Sequence, residues 1–358
     1  MNYRIRQQQL MCALGESHLD ALVVTRGANI RYLCGFTGSA SVLVASAPRW
    51  VLYTDGRYRD QAQAEVQGAR VVIVKGSSLV AAAAGLVRRR RAPVGIEADH
   101  LTVAARAAFA GLFPKRTPLC DTCGIVERLR MIKEPEEIER IRAAVALGSD
   151  LLRTAVKSVR PGRSENSVAA EIEYAARRGG AEKMSFDTIV AAGPRSALPH
   201  GVASAAAIPR NGFVVMDFGV ILAGYCSDMT RTVHVGRPNA AMRGMYEAVR
   251  EAQLAGIEAV RPGVEAGKVD RAARRVLSAA SLARYFTHST GHGVGLEVHE
   301  PPRVARAAVE VLRPGMVITI EPGVYLPGKA GVRIEDMVLV TERGVEVLTP
   351  APKDLLLV

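Results

Sequence analysis

The sequence predicts an α/β domain over residues 1–130 and an α+β domain over residues 131–358, the second built from two helix–helix–hairpin halves. Three observations lead to this fold class. Strand and helix patterns alternate through the first third of the chain, which indicates a layered α/β domain with a largely parallel or mixed sheet. The segment SVRPG at 158–162 recurs 101 residues later as AVRPG at 259–263. A hairpin pattern with two carboxylates then follows each copy.

The elements of the first domain are predicted from short runs of β-branched residues that are separated by helical segments and turns. A turn at Ala47-Pro48-Arg49 separates two of the strands, and the domain ends near Cys120–Arg130. The predicted helices are 4–19, 58–66, 78–90 and 103–112, and the predicted strands are 21–25, 41–46, 50–54, 70–74 and 94–97.

A long helix is predicted to open the second domain at Lys133-Glu134-Pro135. Proline suits the first turn of a helix, and the acidic residues around it complement the helix dipole. One apolar stripe at steps of three, four and seven continues the helix through Ile138, Ile141, Val145 and Leu152. Helices at 165–178 and 267–280 are predicted to follow the two copies of VRPG.

The hairpin at Val214–Thr232 carries Asp217 and Asp228. A turn centred between Leu222 and Ala223 would make the two aspartates direct cross-strand partners. Directly opposed residues project from the same face, with Cβ atoms about 4.5–5.5 Å apart. The sequence therefore predicts a close pair of carboxylates on this hairpin.

The second hairpin, Ile318–Val338, carries Glu321 and Glu335, and a turn centred on Gly328 would pair these glutamates as well. Carboxylates this close raise each other's pKa, and four together cannot all ionise without cations. Apolar residues flank both pairs, which favours burial, and buried charge must be paired or must bind metal. The alternative is two unrelated acidic hairpins on the surface.

His292 lies between the hairpins, in the segment STGHGVGLEVHEP. The glycines on either side of it let the backbone pass close to a ligand. Four carboxylates and one imidazole form a ligand set for two divalent ions. Oxygen ligands suit Mn, Mg or Ca, and the imidazole favours Mn, Co, Fe or Zn. We therefore expect two divalent ions, Mn²⁺ first, with Co²⁺ and Zn²⁺ as alternatives.

Composition argues against several other classes of protein. The net charge of +12 includes a basic run at Arg88–Arg91, but aromatic residues make up only 5% and no nucleic-acid motif is present, so no nucleic-acid partner is expected. No stretch of 18 apolar residues and no apolar signal core occur, so we expect a cytoplasmic protein with no membrane partner. Five cysteines do not suggest a disulfide framework, and Cys120 and Cys123 are interpreted as incidental thiols, with a redox or metal role as the alternative.

Five motifs, in this order, resemble those of the pita-bread metallopeptidases, in the branch of aminopeptidase P and prolidase: MDFG, CSDMTRT, STGHGVG, TIEPG and VRIEDM. In the first domain, NIRYLCGFTGS and LYTDGRY resemble the creatinase-type N-terminal domain of that branch. The resemblance implies a creatinase-like α/β domain, then a pita-bread catalytic domain with pseudo-twofold halves. It also implies a homodimer.

By this resemblance, Asp217 chelates one metal ion, and Asp228 and Glu335 bridge the two ions. His292 and Glu321 bind the second ion, and Glu321 also shuttles a proton of the attacking water. All five positions match the pattern of the family.

Three further residues are expected to act without binding metal, two histidines by this resemblance and one arginine by its position on a strand. His200 and His299 resemble residues near the substrate carbonyl and amide nitrogen, where an imidazole can donate to developing charge or to the leaving amine. Arg333 shares a strand face with a bridging glutamate and is expected to steady the ligands or the substrate. The alternatives are core histidines and a surface arginine. No role is predicted for His234 or His288.

The resemblance implies an Xaa-Pro aminopeptidase, which releases the first residue from peptides with proline in second position. One alternative is an Xaa-Pro dipeptidase, which needs a cation such as Arg303 or Arg333 for the C-terminal carboxylate of its substrate. Another is a non-catalytic binding protein of the same fold. The motifs GFTGS and LYTDGRY favour the aminopeptidase.

Overall fold

The computed structural model describes residues 1–89, 92–114 and 117–358. The chain forms two compact units, Met1–Arg130 and Met131–Val358. Arg90, which ends the predicted helix 78–90, and Arg91, which ends the basic run, lie outside the described residues. Among the described helices, none has the length and apolar character needed to cross a membrane.

The first unit is a mixed six-stranded sheet with helices. Its helices are α1 (Tyr3–Glu16), α2 (Gly27–Cys34), α3 (Arg59–Glu65), α4 (Ser78–Arg88), α5 (Val103–Ala110) and α6 (Ile125–Arg130), and its strands are β1 (Ala21–Val24), β2 (Ser41–Ser46), β3 (Trp50–Asp55), β4 (Ala69–Val74), β5 (Val94–Glu97) and β6 (Leu119–Thr122). The strand order is β4-β3-β2-β1-β5-β6. The pairs β1–β2 and β2–β3 are antiparallel, whereas the other three pairs are parallel. The predicted α/β fold is thus confirmed.

Three elements of this unit, α2, β6 and α6, were not predicted. They are eight residues long or shorter, so their sequences show little periodicity. A buried polar network explains part of their placement. The Asn29 side-chain amide donates to Glu97 at 2.7 Å and to Glu127 at 2.6 Å, and Arg130 donates to the Asn29 oxygen at 2.6 Å. These hydrogen bonds join segments that are distant in sequence. The periodicity of apolar residues does not reveal such contacts.

The second unit has four long helices and small antiparallel sheets. The helices are α7 (Pro135–Ser158), α8 (Glu165–Arg178), α9 (Ala240–Ala259) and α10 (Ala266–Ala279). The strands are β7 (Lys183–Met184), β8 (Ile189–Ala192), β9 (Gly212–Phe218), β10 (Val220–Leu222), β11 (Tyr225–Cys226), β12 (Met229–Val235), β13 (Gly291–Gly293), β14 (Glu300–Val304), β15 (Val317–Ile320), β16 (Gly323–Leu326), β17 (Ala330–Arg333), β18 (Asp336–Thr341) and β19 (Gly344–Val347). Short 3₁₀ helices span Gly56–Tyr58 in the first unit and Gly193–Ala197 and Ala283–Tyr285 in the second.

The sheets of the second unit are ordered β12-β9-β8, β11-β10-β7, β14-β13-β15-β18-β19 and β16-β17. The strands β9 and β15 are central and wholly buried. Helices α7 and α8 pack together in the first half, and α9 and α10 do so in the second. The predicted α+β fold is therefore confirmed.

The two predicted halves show matching backbone contacts. The N–H of Gly162 donates to Ile208 at 2.9 Å, and the N–H of Gly263 donates to Leu312 at 2.8 Å. Both glycines have φ of 84°, a left-handed conformation that favours glycine. The repeated VRPG segment thus makes the same turn twice, each time just before a helix, α8 or α10.

The first acidic hairpin has a different register from the predicted one. Ala223 and Gly224 both have positive φ, so the tight turn lies on these two residues and Leu222 pairs with Tyr225. In the longer ladder, Asp217 therefore faces Thr230, and not Asp228 as predicted. The prediction of direct cross-strand partners was wrong because the turn centre lies one residue further along the chain.

The second acidic hairpin keeps the predicted register, but its ladder is interrupted. Gly323 pairs with Arg333 and Ile320 pairs with Asp336, which agrees with a turn centred on Gly328. Glu321 and Glu335 lie in the gap between these two ladders. The backbone N–H of Glu321 donates to the carbonyl of Thr290, just before His292, at 2.7 Å. The backbone N–H of Glu335 donates to the carbonyl of Thr230, in the first hairpin, at 3.1 Å.

Candidate metal centre

Four of the five predicted metal ligands lie at strand ends or strand junctions of the second unit, and the fifth lies within a short strand. Asp217 is the penultimate residue of β9, and Asp228 directly precedes β12. His292 is in β13, Glu321 follows β15, and Glu335 precedes β18. The strands β9 and β15 occupy the centres of their sheets. The carboxylates at the ends of these strands, one set from each half, line the same cavity.

The side chains of the cluster approach each other closely. His292 Nε2 lies 3.6 Å from Asp228 Oδ2 and 3.3 Å from Glu321 Oε1. One donor atom each of Asp228, His292 and Glu335 lies within 4.8 Å of the others. His292 Nδ1 is 3.0 Å from the carbonyl of Gly293, which must accept the hydrogen, so Nε2 is the nitrogen directed at the carboxylates.

Two carboxylate oxygens show that this cluster fits a cation. Oδ1 of Asp217 and Oε1 of Glu335 are buried and accept no hydrogen bond from any described residue. Asp217, Asp228 and Glu335 are only 8%, 5% and 1% exposed. Buried polar atoms are nearly always hydrogen-bonded, so unsatisfied carboxylate oxygens indicate that positive charge belongs beside them. The donor set of oxygens and one imidazole suits divalent transition ions.

Burial and the closeness of the charges also shift the pKa values of the cluster. Burial, then the neighbouring charge of Asp217, holds the pKa of Asp228 well above its usual range. Burial and the charge of Asp228 do the same for the pKa of Glu335, and burial also raises the pKa of Asp217. Burial alone would lower the pKa of His292, but the hydrogen bond and charge of Glu321 and the charge of Asp228 raise it to about 9. Without ions, the cluster therefore binds protons.

Arg333 is buried beside the ligands. Its Nη2 donates to Oδ2 of Asp217 at 2.5 Å, and its Nε donates to Thr230 Oγ1 at 3.0 Å. Its Nη1 donates to the carbonyl of Pro199 at 3.0 Å and to the Tyr325 hydroxyl at 2.7 Å. These acceptors engage most of the N–H groups of Arg333. The arginine therefore orients the metal-ligand residues and has few N–H groups left for a substrate.

His288 and Tyr325 were missed by the sequence analysis. His288 Nδ1 is 2.8 Å from the carbonyl of Ser289, so Nε2 accepts from the Tyr325 hydroxyl at 2.9 Å. Tyr325 in turn accepts from Arg333. A signal did exist: on β16, Tyr325 lies two residues from Gly323, which pairs with Arg333, so both side chains share a face.

The cluster faces a cavity of about 660 Å³. His200, His299 and Arg303 line it together with the ligands and Arg333. The rings of His292 and His299 are 4.3 Å apart. Burial, then the charge of His292, lowers the pKa of His299, so its imidazole is neutral near pH 7. The other lining residues are Phe186, Asp187, Ile189, Pro199, Val202, His288, Ser289 and Glu300.

Other sequence features lie outside this cavity. His234 is buried against the ring of Phe213 and the sulfur of Met242. Cys120 and Cys123 are free thiols in the first unit, on and just after β6.

Comparison with known proteins identifies the family. Residues 139–342 match the family model described as Metallopeptidase family M24, and residues 6–132 match that of the Creatinase/Prolidase N-terminal domain. The chain belongs to metallopeptidase family M24 and carries a creatinase/prolidase-type N-terminal domain. The predicted resemblance to the pita-bread metallopeptidases is confirmed, and so is the class of enzyme, a metal-dependent peptidase.

Individual relatives show which peptidases the chain is similar to. The chain is 39% identical to the uncharacterized peptidase YqhT of Bacillus subtilis over 99% of this chain and 100% of that protein. It is 48% identical to the Xaa-Pro dipeptidase of Pyrococcus furiosus over 65% of this chain and 67% of that protein. The solved structure of an Xaa-Pro dipeptidase from Bacillus anthracis has a TM-score of 0.96 at 39% identity, with 100% of both chains covered. That of an X-Pro aminopeptidase from Thermotoga maritima has a TM-score of 0.88 at 34% identity, covering 97% of this chain and 100% of that one.

Proposed function

We propose that this chain is an Xaa-Pro exopeptidase, which hydrolyses the bond between a first residue and a proline in second position. The single observation that carries the metallopeptidase chemistry is the cluster of Asp217, Asp228, His292, Glu321 and Glu335 on one cavity, with two buried carboxylate oxygens that have no described hydrogen-bond donor. The proline preference rests on the relatives, which include Xaa-Pro dipeptidases and an X-Pro aminopeptidase.

The five residues of the cluster would hold two divalent ions, for which Mn²⁺ remains our first choice. When bound, such ions supply electrophilic assistance to the peptide carbonyl and acidify a water molecule. Oε1 of Glu321 faces the Thr319 hydroxyl and His292 Nε2, each at 3.3 Å, and we assign to Oε2 the role of proton acceptor. Glu321 takes a proton from the attacking water and returns it to the proline nitrogen as the C–N bond breaks.

His200 and His299 act on the substrate in this proposal. Neutral His299 has one N–H to donate, and its ring lies beside that of His292 at the wall of the cavity. A hydrogen bond from an imidazole N–H can stabilise negative charge on the former carbonyl oxygen or hold the leaving nitrogen. Arg333 keeps Asp217 oriented through its bond to Oδ2.

The length of the substrate is the finer point, and Arg303 favours a dipeptide. Arg303 pairs with His292 across β13 and β14, so the two side chains project from the same face. It is exposed and lines the cavity, whereas Arg333 is buried among protein acceptors. An arginine matches a carboxylate in geometry and charge. This supports a dipeptidase that binds the C-terminal carboxylate, while the motifs of the first domain favour an aminopeptidase.

A length series tests the proposal. The Mn²⁺-loaded protein is assayed with Ala-Pro, Ala-Pro-Ala and Ala-Pro-Ala-Ala, and with Ala-Ala as the control without proline. We expect cleavage after the first residue of proline substrates, with the highest kcat/KM for the dipeptide. Higher kcat/KM for the longer peptides would favour the aminopeptidase, and no cleavage of any proline substrate would overturn the proposal.

A matched pair of variants tests the metal centre. Asp228→Asn should lower kcat by at least about a hundredfold, since even changes behind a metal ligand cost 10–100-fold. Asp150→Asn, which alters an exposed ion pair with Arg153 on α7, should leave kcat unchanged. Unaltered turnover in a folded Asp228→Asn protein would exclude the assigned site.

The assembly and the location of the protein are also proposals. The resemblance implies a homodimer, and light scattering after gel filtration would measure its mass. We further propose a cytoplasmic location, which fractionation of the source cells would test.

A further inference from the structure

A wholly buried carboxylate, Glu165, lies outside the metal centre at the first residue of α8. It accepts hydrogen bonds from the N–H of Ala192 at 2.8 Å and from Nε of Arg195 at 3.0 Å. It also accepts from the N–H and the hydroxyl of Ser204, at 3.1 and 2.6 Å. All these donors belong to one short stretch of chain, from Ala192 to Ser204.

That stretch encloses residues 193–203, which we call the His200 loop. The loop begins where β8 ends, and it contributes Pro199, His200 and Val202 to the wall of the cavity. Ala192 and Ser204 flank it, so the Glu165 carboxylate joins its two ends. Arg195, bound to the same carboxylate, also donates to the carbonyl of Val202 at 2.9 Å, which ties the interior of the loop to its base.

The second half of the repeat shows that this carboxylate is not needed to build the junction between helix and strand. The N–H of Glu165 donates to Ala206 at 3.0 Å, and the N–H of Ala266 donates to Glu310 at 2.8 Å, so the two residues occupy equivalent positions. Ala266 has no carboxylate, yet it is the first residue of α10, as Glu165 is the first residue of α8. The acid is therefore an addition to the first half.

We propose that Glu165 is a positioning residue, which closes the base of the His200 loop and thereby holds His200 at the substrate. The inference rests on the proposed function only for the role of His200. The clamp itself is a property of the loop and can be measured without a substrate. A neutral amide at this position would present an NH₂ group to at least one N–H donor, which weakens the clamp with little change in volume.

Hydrogen exchange of the Mn²⁺-loaded full chain tests the clamp. In Glu165→Gln, the amides of 193–203 should exchange at least about tenfold faster than in the wild type, while the rest of the second unit is unchanged. Glu137→Gln is the matched control, because Glu137 is also buried but bonds to Tyr225 and to the start of α7. Unchanged exchange of the loop in a folded Glu165→Gln protein would overturn the proposal.

Kinetics test whether the clamp acts through His200. We expect Glu165→Gln to lower kcat/KM for Ala-Pro about tenfold or more, with unchanged Mn²⁺ content. In the His200→Ala background, the same substitution should have no further effect, because the residue that it positions is gone. Full additivity of the two losses would overturn the inference, because Glu165 would then act independently of His200.

A milder variant covers the case in which Glu165→Gln does not fold. Ser204→Ala removes one donor from one end of the loop and leaves the carboxylate in place. It should show the same faster exchange of 193–203 to a smaller degree, and unchanged exchange would count against the clamp. If the wild-type protein cleaves no Xaa-Pro peptide, the proposed function fails, but the exchange data still decide the role of Glu165.

Discussion

Arg333 and Asp217 form a buried ion pair, with Nη2 of the arginine 2.5 Å from Oδ2 of the aspartate. The two residues come from different halves of the repeat, on β17 and β9. The pair uses one oxygen of Asp217 and leaves Oδ1 without a described donor, available to the ligand set. One arginine thus orients a predicted ligand and joins the two halves beside the cavity.

Loss of this arginine should affect the metal-free protein most. Arg333→Met leaves Asp217 as an uncompensated buried charge, and we expect it to lower the free energy of unfolding by about 3–5 kcal/mol. The loss should be smaller with Mn²⁺ present, because the ion supplies positive charge beside the same carboxylate. Urea unfolding with and without Mn²⁺ measures both values. Arg153→Met, which breaks an exposed pair with Asp150, should change either value very little.

Stabilisation by metal should increase with pH. The pKa of His292 is raised to about 9, so the stability that its protonation provides is fully present below pH 6.5 and is lost as the pH rises through 9. The raised pKa values of Asp228 and Glu335 act in the same direction, since these groups also release protons as the pH rises. The lowered pKa of Glu321 acts in the opposite direction, but only in acid.

We therefore expect the metal-free Tm to fall between pH 6.5 and 9, and the rise in Tm on adding Mn²⁺ to be larger at pH 8.5 than at pH 6.5. Differential scanning fluorimetry at both pH values measures this rise. Asp228→Asn is the control and should lose most of it. A rise that is the same at both pH values would mean that metal ions and protons do not compete for these side chains.

Arg303→Gln should separate substrates by their C-terminal charge. If Arg303 binds the C-terminal carboxylate, its loss removes a charge-assisted hydrogen bond of about 1.5–3 kcal/mol, which corresponds to at least a tenfold rise in KM for Ala-Pro. The KM for Ala-Pro-amide, which has no C-terminal charge, should hardly change. Equal effects on both substrates would show that Arg303 does not read the carboxylate.

The turn that sets the first hairpin register contains a strained alanine. Ala223 has φ of 49°, a conformation that costs an L-residue roughly 1–2 kcal/mol and costs glycine nothing. Ala223→Gly should therefore raise the free energy of unfolding by about 1 kcal/mol, as measured in urea. Ala146→Gly, at an exposed position within α7, should lower it by a similar amount. A loss of stability in both variants would contradict the turn geometry.

Much of the fold was predictable because local sequence patterns determine it. The alternation of the first domain, the long helix from Pro135 and the repeated VRPG turn depend on neighbouring residues, and the structure has each of them. The register around Gly328 was also predictable, since glycine marks the turn. The register of the aspartate hairpin was not, because it depends on a left-handed alanine that residue preferences disfavour.

The candidate site was predictable only where residue type carries the chemistry. Four acids and an imidazole suggest metal ions wherever they occur together, and the structure brings them to one cavity, although their roles stay predictions. Glu165 gave no such signal, since a glutamate at the start of a helix is ordinary. No role was predicted for His288 because its position is defined by a hydrogen bond with Tyr325. That bond joins β16 to the segment before β13, so the sequence around His288 does not reveal it.

The division of the five side chains between the halves has a practical consequence. Asp217 and Asp228 precede the short connection at 236–239, and His292, Glu321 and Glu335 follow it. A chain severed within that connection would give two inactive fragments, each with an incomplete ligand set. Their reassociation would restore hydrolysis, so the enzyme could be converted into a complementation reporter in which activity records the meeting of two fused partners.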